Sequence, residues 1–166
     1  YGQLDRTVWI DAGLNDFPLA ANGGYIYNQE RGTDDGQPLG ADALPITAYI
    51  ESAFVDIDEG ENFMLTKRAI PDVDFTASDP SCTPEVDMSL AVTKFPGAAT
   101  SVSSVDGVSL TRNVVTTTGV ISQYTNQVFL RARGRQVSFK IASSTLGTQW
   151  QLGDTRLDVK PDGMRG

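Results

Sequence analysis

The chain has 166 residues, 21 acidic and 13 basic, for a net charge of −8. A chain of this length buries roughly two-thirds of its unfolded surface as one ordinary domain, with no metal or disulfide needed to hold it. Charged residues at 20% and hydrophobic residues at 40% exclude a disordered acidic tail.

There is no histidine. That excludes Ser-His-Asp and Cys-His nucleophile systems, zinc sites built on imidazole, and the usual near-neutral proton shuttle. Cysteine occurs once, at Cys82, so an intramolecular disulfide and a cysteine zinc site are both excluded. No run approaches the roughly 20 apolar residues of a membrane helix. The start, YGQLDRTVWI, has no charged leader ahead of an apolar stretch and no initiator methionine. It does not read as a signal peptide, and Tyr1 reads as a possible cut point.

The dominant period is two, and no stretch has a helical one. Residues 1–32 differ in texture from the rest. RTVWIDAG and GGYIYNQERG read as short strands, and NDFPLAANGG between them as irregular. Residues 32–45, GTDDGQPLGADALP, are Gly, Pro and Asp without periodicity and read as a linker. Ile46 to Ile57 and Phe63 to Val73 read as a strand pair joined through Asp58-Glu59-Gly60-Glu61. Val86 to Phe95 reads as a strand with Val86, Met88, Leu90 and Val92 on one face. A serine- and threonine-rich stretch follows, with weaker strands at Val108–Val115 and Gly119–Ser122.

In Thr125 to Arg133, Val128, Leu130 and Ala132 share one face, and Phe129, Arg131 and Arg133 the other. Val137, Phe139 and Ile141 then alternate in the same way. Gly134-Arg135 between the runs suits a two-residue hairpin turn whose first position takes positive φ. Trp150 and Leu152 alternate, as do Leu157 and Val159, with Gly153-Asp154 as a break and Pro161-Asp162-Gly163 as the closing turn. The expected fold is all-β, an antiparallel sandwich or barrel. The expected domains are 1–32, a linker at 33–44, a β-sandwich at 45–161 and a tail at 162–166.

Charge is divided along the chain. Residues 1–90 carry net −13 and residues 91–166 net +5. Arg131, Arg133, Arg135, Lys140 and Arg156 sit on the C-terminal strands, with Lys160 and Arg165 beyond. Two readings follow: ion pairs inside the sandwich, or an acidic face of one copy meeting a basic face of the next, as in a ring. Nucleic-acid binding by these strands is weaker, because interleaved aromatics are few and the whole chain is acidic.

Motifs that carry chemistry are scarce. Asp56, Asp58 and Glu61, with Asn62, surround Gly60, but the calcium-loop pattern places its glycine sixth, not fifth, and ends on a distal glutamate missing here. The loop reads as solvated and acidic. Among 21 acids some carboxylate pair is inevitable, so glycoside hydrolysis has no specific signal. Trp150, in phase with Leu152, reads as a core residue, and Cys82 lies in a proline-flanked loop with nothing to activate it. No phosphate loop or dinucleotide fingerprint is present. No cofactor is implied.

TNQVFLRARGRQVSFKIASSTLGTQWQLGDTRLDVKPDGMRG resembles the ending of a group of structural proteins of short-tailed bacteriophages. AYIESAFVDIDEGENFMLTKRAIPDVDF is similar to a second block of the same group, a strand running into an acidic turn and an Ile-Pro-Asp segment. The two blocks cover rather less than half of the 166 residues, and the match is structural in kind, not catalytic.

The resemblance implies the C-terminal region of a tail nozzle or DNA-stabilisation protein, with no enzymatic role. Such proteins form hexameric rings that continue the DNA channel below the portal, and combine a β-propeller with β-rich domains. Residues 1–32 would then complete the propeller. Partners would be copies of the chain, portal, adaptor or tail proteins, and passing DNA. The place would be the virion tail, assembled in the host cytoplasm. Arg131, Arg133, Arg135, Lys140 and Arg156 are the candidate subunit interface. Asp56, Asp58, Glu59 and Glu61 are the candidate acidic lumen or loop. The alternative from a different class is a carbohydrate-binding β-sandwich of the adhesin kind, which expects an exposed aromatic platform.

Overall fold

A computed structural model describes residues 6–14, 16–36, 42–56, 62–94 and 114–163. The fold is all-β and every strand pairing is antiparallel. The first strands, β1 (Val8–Ile10), β2 (Leu19–Asn22) and β3 (Tyr25–Asn28), form a three-stranded meander. The stretch expected to be irregular thus contains β2. Gly23 and Gly24 join β2 to β3 with φ of +58° and +83°. Two successive positive φ values define the mirror-image turn that matches strand twist, which is why glycine stands at both places.

Next come β4 (Asp34–Asp35) and β5 (Leu44–Pro45), which pair with each other. The segment expected to be a linker is therefore pinned at its ends. Arg6 forms an ion pair with Asp35 and lies 3.8 Å over the Tyr27 ring. The Asp34 carboxylate accepts the backbone N–H of Gly147 at 2.8 and 2.9 Å, which ties this segment to the sandwich.

The remaining strands are β6 (Ala48–Glu51), β7 (Val55–Asp56), β8 (Met64–Ile70), β9 (Val73–Asp74), β10 (Glu85–Thr93), β11 (Val114–Ser122), β12 (Ala132–Gly134), β13 (Gln136–Ser143), β14 (Gln151–Leu152) and β15 (Arg156–Pro161). One sheet runs β11-β10-β13-β6, with β7 also on β13. The facing sheet runs β12-β8-β15. Among the described residues no sheet closes on itself, so the sandwich and not the barrel is what forms.

The core follows from the period-two pattern. On β10, Val86, Met88, Leu90 and Val92 are buried while Asp87 is exposed. They meet Val137 and Ile141 of β13, Ile121 of β11, and Ala69, Leu130 and Ala132 across the sandwich. Each large side chain so buried contributes roughly 2 kcal/mol of transfer free energy. On the open face of the same sheet, the Ser89 and Thr118 hydroxyls pair across strands at 2.8 Å.

Four expectations about elements are corrected. The hairpin at Gly134-Arg135 does not form: β12 pairs with β8 and β13 with β10, in different sheets. Gly134 does not take a positive φ. A Cβ there would stand 2.7 Å from the Thr93 carbonyl oxygen and from Val92 Cβ. Arg135 N–H donates to that carbonyl at 2.8 Å. The glycine therefore permits a tight crossing between the sheets around the end of β10, not a turn.

The pair Ile46–Ile57 with Phe63–Val73 is not a pair either, since β6 and β7 join β13 while β8 joins β12 and β15. Each run also breaks in two. Between β6 and β7 the ladder is bridged by Ser52, whose N–H donates to the Phe139 carbonyl at 2.9 Å and whose hydroxyl accepts the Phe139 N–H at 3.0 Å. Finally, Val114 to Ser122 is one nine-residue strand where two weaker ones were expected, and residues 108–113 lie outside the described residues.

Candidate interaction surfaces

The outer face of the β12-β8-β15 sheet is basic, and its residues follow from strand phase. Val128, Leu130 and Ala132 point inward, which turns Phe129, Arg131 and Arg133 out to solvent. On β15 the register sets Leu157 opposite Ala69 in the core, so Arg156 and Lys160 fall on the outer face. A bulge between Asp158 and Val159 changes phase along β8, and Lys67 beside it is exposed.

Two of the cations on this face are engaged within the chain. Arg68 Nε bonds Asp158 Oδ2 at 3.2 Å, and its Nη1 donates to Gln127 Oε1 at 2.9 Å. Arg133 forms an ion pair with Asp162, donates to the Asp162 carbonyl at 2.9 Å and lies 4.3 Å over the Phe63 ring. Arg131, Arg156, Lys67 and Lys160 have no ion pair among the described residues.

The five expected interface residues do not converge on one surface. Arg131, Arg133 and Arg156 share the outer face just described. Arg135 is half-buried at the sheet crossing, its guanidinium 5.0 Å from the Phe63 ring centre and its Nε buried without a hydrogen-bond partner among the described residues. Lys140 projects from the opposite sheet, where Nζ pairs with Glu51 at 3.2 Å and stands 4.4 Å over Tyr49. Intramolecular pairing thus accounts for Arg133 and Lys140.

Lys67 and Arg68 complete the basic face and were missed from sequence. No local signal reveals that β8 lies between β12 and β15, because period two fixes a strand's faces but not its neighbours.

On the acidic side, Asp56 is exposed on β7 and accepts Gln136 Nε2 at 2.9 Å. Asp58, Glu59 and Glu61 lie outside the described residues. Among the described residues no three of Cys, Asp and Glu converge as a metal site. Two other acids are tuned by local turns. The Thr76 hydroxyl, then its N–H, hold the Asp74 carboxyl below its ordinary value. The Ser81 N–H, then its hydroxyl, do the same for Asp79.

No protein-family model matches the chain, and no curated protein is significantly similar to it in sequence. No helix among the described residues is long and apolar enough to cross a membrane.

Proposed function

We propose that the chain is a virion structural protein of a short-tailed bacteriophage, a component of the tail nozzle or head-tail connector that assembles as a homo-oligomeric ring around the DNA path. The observation that carries this reading is how the two phage-like blocks combine. Strands β6 and β7 of the first block pair with β13 of the second, and β8 of the first lies between β12 and β15 of the second. Two blocks that resemble one protein group are thus parts of one folded unit, as the resemblance requires.

The meander β1-β2-β3 supports the propeller part of the reading, since a blade is a four-stranded antiparallel meander and three such strands are present. In the assembly, the basic outer face of one copy meets the acidic N-terminal half of the next. A contact between two different surfaces is the kind that closes a ring. The exposed Asp56 would face the channel, where it repels the phosphate backbone and leaves DNA free to slide.

Native mass spectrometry with negative-stain imaging of the purified chain tests this. The expected result is a defined ring. A monomer persisting at the highest soluble concentration overturns the ring.

A further inference from the structure

Three edge strands of the sandwich carry features that discourage pairing with another chain. β6 is four residues long and bears Glu51. β12 is three residues long and bears Arg133. β15 bears Arg156, Asp158 and Lys160, ends on Pro161 and is bulged against β8. Short length, charge, proline and bulges all blunt an edge.

β11 has none of these features. Its nine residues, VVTTTGVIS, hold no charge and no proline. It is the last strand of its sheet and pairs with β10 through all nine. Among the described residues no strand pairs with its other side. Alternate N–H and C=O groups of an edge strand point away from its neighbour, so an edge this long offers a row of main-chain partners.

The strand is also held in place from within. The register with β10 sets Thr117, Gly119 and Ile121 opposite Leu90, Met88 and Val86, and so turns them toward the core. The Thr117 hydroxyl donates to the Arg131 carbonyl at 3.2 Å. A Cβ on Gly119 would collide with Val128, so the sandwich packs directly on the backbone there. The inward face is fixed, and the edge is a pre-formed template for strand addition.

The composition of β11 selects the occupant. A charged strand would find no counter-charge on it. A second copy of β11 meets it without conflict. Antiparallel pairing that overlaps all nine residues puts Thr118 opposite its own counterpart, Thr116 opposite Val120 and Val114 opposite Ser122. These are β-branched or small side chains, which pair well across strands. The acids of β10 stay apart as well. Asp87 lies beside Val120, and the next residues along that row are Thr116 and Ala91 of the other copy.

We propose that β11 pairs with β11 of a second copy of the chain, antiparallel about a two-fold axis at Thr118, and joins four strands from each copy into one sheet. This contact is of like with like. It differs from the head-to-tail contact of the proposed ring and does not rest on it.

Sedimentation velocity tests this in the Arg131→Glu, Arg156→Glu protein, which lacks the cations of the ring contact and keeps β11 unchanged. The expected result is a concentration-dependent dimer, whether or not the unsubstituted chain forms a ring. Thr118 is exposed, and Thr118→Lys sets like charges opposite each other at the axis. It should weaken the dimer about tenfold or more. Thr118→Glu should do the same. Mixing the two variants should restore a dimer with one copy of each, because opposite charges then meet. A substitution that merely disturbed folding gives no such rescue. A monomer at the highest soluble concentration overturns the proposal. So does an assembly indifferent to Thr118→Lys, or a mixture that associates no better than either variant alone.

Discussion

Thr66 on β8 is fully buried, and its hydroxyl has no hydrogen-bond partner among the described residues. Its cross-strand partners Ala132 and Val159 are aliphatic, so a methyl in place of the hydroxyl keeps the shape and removes an unsatisfied group. Thr66→Val should therefore stabilise the fold by about 1 kcal/mol, read as a higher urea midpoint with unchanged slope. A fall in the midpoint would show that the hydroxyl is bonded. Asp74 and Asp79 make an opposite case, exposed acids held ionised by turn hydrogen bonds. Their folded pKa values lie below the unfolded ones. Their contribution is thus present in full above the unfolded value and is lost as pH falls through the lowered one. The double variant Asp74→Asn, Asp79→Asn should be less stable than the parent near pH 7, and the gap should close below pH 3.8. Melting curves across that range decide it, and a gap that widens on acidification would contradict the assignment.

At the scale of elements, the most informative position is Gly134. Adding a methyl there drives a Cβ into the Thr93 carbonyl and Val92, both at the end of an inner strand held on each side by β11 and β13. Gly134→Ala should destabilise by about 2 kcal/mol. Equilibrium unfolding of the variant reads this, and an unchanged midpoint would show that the crossing has room for a methyl.

The same residue shows what was legible in the sequence. Alternation identified which side chains of Thr125–Arg133 face the core, and Val128, Leu130 and Ala132 are indeed buried. It identified the Val86–Val92 face equally well. What it could not supply was partnership, because Gly-Arg between two alternating runs is compatible with both a turn and a crossing. The basic face was half legible for the same reason. Arg131 and Arg133 were found from their strand, but Lys67 and Arg68 join them only through pairing between β8 and strands far along the chain. Trp150 was read as core, and its indole does pack against the core cluster, but it also lines a cavity with Glu30 and Thr33 from over a hundred residues upstream.

For the whole molecule, the basic residues of the C-terminal strands divide between the two sheets. Arg131, Arg156, Lys67 and Lys160 are without intramolecular ion pairs among the described residues, while Arg133 and Lys140 are already engaged. Under the proposed ring, Arg131→Glu with Arg156→Glu should break the assembly into smaller species, and Lys140→Glu should leave it intact. Raising salt should weaken the parent assembly in the same direction, since contacts between exposed charges are screened within about 10 Å at 0.1 M. Sedimentation velocity across a salt series reads both effects. A ring indifferent to the double reversal would place the interface elsewhere.

The order in which the strands appear along the chain has a kinetic consequence. Strand β8 sits in the middle of its sheet, yet one neighbour, β12, begins at Ala132 and the other, β15, at Arg156. The Arg68–Asp158 bond alone closes a separation of 90 residues. During synthesis β8 therefore waits with both edges open while most of the domain is made. Long-range pairing of this kind folds slowly and leaves unpaired edges exposed to other nascent chains. Lys67 and Arg68, midway along β8, place like charges on those waiting edges and disfavour pairing between two copies of the same strand. The residues that make the finished face basic thus also guard the unfinished one.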